Sequence, residues 1–170
     1  MDSLINRIIK KMIYTSQGNR HDIEHFLKVH SYARLIGESE IADFKSREIL
    51  ELAAILHDIA CPLCREKYGS AKGVLQEIEG MPLCREFLAE FQLDNDVVEK
   101  VVWLVGHHHT VEENLSVEHR ILLEADLLVN ASESEYTNER LCLEAAQVFR
   151  TKTGTELLRS IYMIKEGHNA

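Results

Sequence analysis

Apolar residues recur along much of this chain at intervals of three and four, the spacing of one helix face. Leu4, Ile5, Ile8, Ile9, Met12 and Ile13 place a helix at about 3–16, and Gly18-Asn19 breaks it. A second helix is predicted at about 20–39, with Phe26, Val29, Ala33 and Ile36 on its inner stripe. A third, at about 44–58, carries Ile49, Leu52, Ala53, Ile55 and Leu56. Residues 59–81 hold one proline, three glycines and two cysteines, and read as an irregular connection with a short helix around 70–79. Pro82 suits the first turn of a helix at about 82–92. Asp94 or Asn95 can cap the next, about 95–108, and Ser116 can cap another, about 117–132. Segments at about 138–152 and 155–166, parted by Gly154, complete the set. The expectation is an all-α, single-domain bundle of about seven to nine helices spanning residues 1–170. Its motif-bearing core would lie at about 20–130, with the helices at 138–166 packed on it.

Composition supports this and narrows the function. Only two prolines and eight glycines interrupt 170 residues, of which 45% are apolar. Acidic residues outnumber Lys and Arg by 28 to 19, a formal charge of −9 that argues against binding a nucleic-acid polymer. A small phosphorylated substrate stays compatible, because a local cation or metal overrides global charge. No stretch approaches the roughly 18 apolar residues of a membrane span. Residues 1–12 lack the apolar core of a signal peptide, so the cytoplasm is the expected compartment, with Cys61, Cys64, Cys84 and Cys142 reduced. The segment Pro62-Leu63-Cys64-Arg65-Glu66 recurs at 82–86, but two short copies do not make a solenoid.

Nine histidines stand out, less for their number than for their places. His21 and His25 lie one turn apart on a face that continues through Val29 and Ala33, so His25 points inward. His30, about 140° further round, faces elsewhere. His57-Asp58 ends the apolar run Leu52 to Leu56, and ionisable groups there need partners because an unpaired buried charge is costly. Asp126 sits in the apolar run Leu122 to Val129. Each residue singly has a plain structural reading, as a satisfied core histidine or a salt-bridged aspartate. Together they form a mixed nitrogen and oxygen set suited to one divalent ion, Fe, Mn, Zn, Ni or Co, with Mg as a further candidate. Such an ion acidifies water for hydrolysis.

These residues resemble the HD-domain superfamily of phosphohydrolases. The resemblance rests on Asp22-Ile23-Glu24-His25 with Val29 and Ala33, on Leu52 to Ala60 around His57-Asp58, and on Glu124-Ala125-Asp126. It implies an all-α fold, metal-dependent hydrolysis of phosphoesters, often of nucleotides, and His25, His57, Asp58 and Asp126 as ligands. Asp58 could also orient the attacking water. Two-metal members place a His pair between the HD pair and the last Asp, which here matches His107-His108, with His109 an alternative. They place a further ligand where this chain has His21, and a middle histidine that this chain lacks. Glu79 is the nearest substitute, so one or two ions are expected, the second drawn from His21, Glu79, His107 and His108. With a single ion, the cluster led by His107 would bind phosphate or protonate the leaving group. The segment Thr110-Val111-Glu112-Glu113-Asn114 lacks the GYP element, which argues against cyclic dinucleotides.

Arg20, Lys67 and Lys72 are the expected phosphate contacts, and Gln76 the expected contact to a base or sugar. The loop Lys67 to Gly73 does not have the P-loop spacing. Cys61-Pro62-Leu63-Cys64 lacks the βαβ context of a redox motif, yet oxidation there could distort the neighbouring site. Two further readings stand beside the hydrolase: a di-iron oxygenase of the same superfamily, and a non-catalytic HD module that senses or scaffolds. A homodimer is compatible with the sequence, which marks no surface for one.

Overall fold

The computed structural model describes residues 3–164 and shows nine α-helices and no strand among them. They are α1 Leu4–Thr15, α2 Arg20–Glu40, α3 Phe44–Leu56, α4 Cys61–Tyr68, α5 Gly73–Leu88, α6 Asn95–Val105, α7 Val117–Glu133, α8 Asn138–Val148 and α9 Lys152–Tyr162. Six of the nine start at a short polar side chain that accepts from an orphan backbone N–H. Ser3, Asn19, Asp43, Ser116, Thr137 and Thr151 serve this purpose, each worth about 1 kcal/mol of helix stability. Asp94 occupies the same position before α6 but makes no capping hydrogen bond, contrary to expectation.

Helix α3 is the hub and packs against α1, α2, α6 and α7. Its second half is buried on every side: Leu52, Ala53, Ala54, Ile55 and Leu56 are all fully enclosed. A helix without a polar face needs neighbours all round, and these four supply them. Helix α7 is nearly as deep, buried at every position from Ile121 to Val129. Helices α8 and α9 pack on α7, and α9 also reaches α2. Their junction is fixed by the enclosed Glu124, whose carboxylate accepts from the Arg150 and Thr151 N–H groups at 2.7 and 2.8 Å and from the Thr151 hydroxyl at 2.5 Å. Among the described residues, no helix is long and apolar enough to cross a membrane.

The segment at 59–81 differs from its reading as irregular. It holds α4 and the first half of α5, and the short helix expected at 70–79 is the beginning of a longer one. Pro62 sits in the first turn of α4, where its missing N–H costs nothing. Gly69 ends that helix in the left-handed conformation, φ 66°. Gly80 does not break α5, because it lies against α6, where an added Cβ would stand 3.0 Å from Val105 Cγ1. Pro82 is inside α5 and not at its start. It forfeits one backbone bond to the carbonyl of Ile78, a residue on the solvent-exposed side of the helix. Helix α6 stops three residues before its expected end, α8 ends at Val148, and α9 begins at Lys152. The last two residues of the expected helix 155–166 lie outside the described residues.

Candidate metal centre

Three helices bring four side chains to one point. His25 comes from the first half of α2, His57 and Asp58 from the turn that closes α3, and Asp126 from the middle of α7. His25 Nε2 stands 3.1 Å from His57 Nε2, 3.2 Å from Asp126 Oδ1 and 3.6 Å from Asp58 Oδ2. His57 Nε2 stands 3.5 Å from Asp126 Oδ1 and 3.7 Å from Asp58 Oδ2. His57 is fully enclosed and His25 nearly so.

The far side of each ring fixes which nitrogen faces inward. His25 donates from Nδ1 to Glu133 Oε2 at 2.8 Å, and Lys28 donates to the other oxygen of that carboxylate at 2.9 Å. His57 donates from Nδ1 to the Ala54 carbonyl at 2.9 Å. Both rings therefore present Nε2 to the cluster, the arrangement by which carboxylates and carbonyls orient metal-binding histidines. Asp126 is held by Asn130, which donates to Oδ2 at 2.8 Å, while Oδ1 is buried and has no hydrogen-bond partner.

Electrostatics follow from this crowding. Burial opposes a charge on His25, but Asp126, Asp58 and Glu133 outweigh it and raise its pKa to about 9. Burial likewise opposes charge on Asp58 and Asp126. The surrounding histidines reverse that and hold both carboxyls well below the usual range.

A second group shares Asp58. His108 is fully enclosed, donates from Nδ1 to the Val105 carbonyl at 2.6 Å, and places Nε2 3.4 Å from Asp58 Oδ1. Potential ligand atoms of Asp58, His108 and His109 all lie within 4.8 Å of one another. Gln76 Oε1 accepts from His109 Nε2 at 2.8 Å and lies 3.2 Å from His108 Nε2. Burial opposes charge on His108 while Asp58 favours it, and its pKa rises. Burial and the neighbouring His108 lower that of His109.

Several expected site residues lie elsewhere. His107 turns away from Asp58: its ring stacks on Trp103 at 4.2 Å, its Nδ1 donates to the Trp103 carbonyl, and its own carbonyl accepts from His119 Nε2 at 2.7 Å. His108 and His109, and not His107, are the members of the run that stand beside Asp58. Glu79 is engaged by Lys67 at 2.6 Å and by the Tyr68 hydroxyl, so neither Glu79 nor Lys67 serves the cluster. In the middle segment, Gln76 faces the histidines instead. Its amide donates to the Ala71 carbonyl at 2.7 Å while its oxygen faces the histidines. His21 is largely exposed and stands 3.6 Å from Glu133, outside both groups. Arg20 is exposed at the start of α2, and Lys72 at the N-cap of α5. His30 does face away from the cluster, but it is buried and donates to Glu51 at 2.9 Å. Cys61 and Cys64 are buried free thiols. Burial and Asp58 push the Cys61 thiol up, away from a reactive thiolate.

A cavity of about 660 Å³ opens beside the cluster. His108, His109, Asp126 and Asn130 line one part of it, and Tyr136, Arg140, Glu144 and Gln147 another. Its size suits a small molecule, within the range of about 300–1,000 Å³ for such sites. None of Arg20, Lys67, Lys72 and Gln76 lines it. Glu133, Asn130 and the α8 residues went unnamed in the sequence reading.

The four central groups fit a divalent ion. Bonds of about 2.1 Å at tetrahedral or octahedral angles separate neighbouring ligands by about 3.0–3.4 Å, close to the 3.1–3.7 Å found here. The orphaned Asp126 Oδ1 gains the partner it lacks. Nitrogen and carboxylate donors without thiolate suit Mn, Fe, Co, Ni or Zn.

Comparison with known proteins agrees. A protein of Clostridium beijerinckii, described as an uncharacterized protein, is 28% identical over 138 residues, which span 81% of this chain and 76% of the relative. No solved structure matches significantly. The family model described as HD domain matches residues 22–131, a stretch that contains His25, His57, Asp58 and Asp126. With well over half of its length in that match, the chain belongs to the HD-domain family.

Proposed function

We propose that this protein is a metal-dependent phosphohydrolase that cleaves a phosphoester of a nucleotide or another small phosphorylated metabolite. The observation that carries the reading is the convergence of His25 Nε2, His57 Nε2, Asp58 Oδ2 and Asp126 Oδ1, with Asp126 Oδ1 unpartnered, at the edge of a cavity of substrate size. These four residues would hold the ion. When bound, it supplies a Lewis acid for the phosphoryl group and acidifies water.

The chain's own groups do the rest. Asp58 is held ionised, so its carboxylate is available to bind the ion and to orient the attacking water. Glu133 and Ala54 keep His25 and His57 facing inward. His109 lines the cavity, where it is placed to bind a phosphate oxygen or carry a proton to the leaving group. Asp58, His108 and His109 also support a second ion, since their ligand atoms lie together and Asp58 faces both groups.

The test is metal-dependent release of phosphate from a panel of nucleotides and phosphate esters, with Mn, Fe, Co, Ni, Zn and Mg each supplied. Turnover that depends on the ion and disappears in Asp58→Ala supports the reading. Turnover unchanged in Asp58→Ala contradicts it. Oxygen consumption by the iron-loaded protein would instead favour the oxygenase.

A further inference from the structure

Part of the cavity wall is built by residues beyond 131, where the family match ends: Tyr136, Arg140, Glu144, Gln147 and Val148. Glu135 turns the chain with φ 48°, and Tyr136 folds back so that its N–H donates to the Ala131 carbonyl at 2.9 Å. Tyr136 lines the same cavity as Asp126 of the metal cluster. The Arg140 guanidinium lies over it, 3.5 Å from the ring centroid. Glu144 accepts from Arg140 Nε at 2.8 Å.

The pairing has two consequences. Arg140 is the only lysine or arginine among the described residues that line this cavity, and Glu144 pairs with it. That wall therefore offers no net charge to a second or third phosphate. Glu144 takes an edge of the guanidinium, however, and Tyr136 covers only one face. The side chain of Arg140 is 55% exposed and lines the cavity, so part of it is free to meet a ligand. A planar cation fixed on an aromatic ring is a stacking surface for a nucleobase. Asn130 and Gln147 add neutral hydrogen-bonding groups to the same cavity.

Resting on the phosphohydrolase reading, we propose that the Arg140–Tyr136 plate selects nucleoside monophosphates, with the base stacked on Arg140 and the single phosphate at the histidine–aspartate cluster. The plane of Arg140 supplies the selectivity, and its charge does not. Lysine in its place therefore fails to substitute.

The experiment compares kcat/KM for nucleoside monophosphates, nucleoside triphosphates and glycerol phosphate, in the native protein and in Arg140→Ala, Arg140→Lys and Tyr136→Leu. The native protein is expected to prefer monophosphates to triphosphates. In each variant, the ratio of kcat/KM for monophosphate to that for glycerol phosphate is expected to fall about tenfold, the effect of losing one base-stacking contact. The fall should appear mainly in KM. The ratio cancels any general loss of folded protein. Triphosphates preferred over monophosphates, a ratio restored by lysine, or a ratio unchanged in all three variants would each overturn the proposal and leave the hydrolase reading intact. If no phosphate ester is cleaved with any ion, the hydrolase reading falls first and takes this one with it.

Discussion

Asp58 has two oxygens, and the surroundings of each differ. On the Oδ2 side, His25 and His57 stand within 3.7 Å, Asp126 lies beside both rings, and each ring is braced from behind, by Glu133 in one case and by a backbone carbonyl in the other. On the Oδ1 side stand His108, His109 and the neutral amide of Gln76. The first side adds a second carboxylate to Asp58, while the second adds only neutral donors. Affinity for a divalent ion follows ligand charge and preorganisation. On the proposed hydrolase reading the two sides are therefore expected to act differently, one as a tight ion site and the other as a weaker site or as the place where phosphate is bound and its leaving group protonated.

The largest effect is expected where the sides meet. Asp58→Ala removes a group from both and should lower turnover by more than the roughly 10- to 100-fold typical of losing an outer partner. Glu133→Gln removes only the brace behind His25. Metal affinity of the tight site should then fall about 10- to 100-fold, as read by competition with a chelating dye. An unchanged affinity would show that Glu133 is a surface ion pair with Lys28 and nothing more. A smaller effect is expected from Gln76→Ala. It should weaken the second binding step roughly tenfold and leave the first untouched, in the same titration. Smallest of all is Lys67→Ala: with Lys67 bound to Glu79 outside the cavity, KM should change less than about twofold.

Acidity separates the two sides as well. In metal-free protein the His25 pKa is raised from 6.5 to about 9 by Asp126, Asp58 and Glu133 against the effect of burial. A raised pKa means that protonation stabilises the fold. That contribution is full below about pH 6.5 and is lost as the pH rises through about 9. Thermal melts of metal-free protein should show Tm declining across this window, and His25→Gln should flatten the decline. An ion must displace the same proton, so first-step affinity should rise with pH up to about 9 and binding near pH 7 should release a proton to buffer.

How far the sequence foretold this arrangement can be traced residue by residue. The inward stripes of α2, α3 and α7 were legible because apolar neighbours frame each polar position: His25 precedes Val29 and Ala33, His57 follows Leu52 to Leu56, and Asp126 lies inside Leu122 to Val129. The choice among the three consecutive histidines was open to the same reasoning. His108 continues the buried face of Val101 and Val105, whereas His107 falls four residues after Trp103 on the exposed side. Gln76 starts the buried stripe that runs through Gly80 and Cys84, and Glu79 lies off it. Glu133 and Asn130 follow Asp126 by seven and four residues, two turns and one turn along the same face.

Other features left no local signal. Glycines and prolines between 59 and 82 suggested interruption, but tertiary packing overrode them: Gly80 suits the close approach of α6, and Pro82 spoils a bond on the solvent-exposed side of α5. Lys67 looked free because its partner, Glu79, is 12 residues away on another helix. Arg140 and Tyr136 are distant in sequence from His25 and His57, and only the packing of α8 on α7 carries them to the cavity.

The most direct test of the central claim, a buried ion site in which Asp58 faces two unequal groups, is a calorimetric titration of metal-free protein with Mn²⁺, repeated on His25→Ala and His109→Ala. Two steps are expected, a tight one lost in His25→Ala and a weaker one lost in His109→Ala. A tight step that survives His25→Ala, or no binding at all in the native protein, would contradict it.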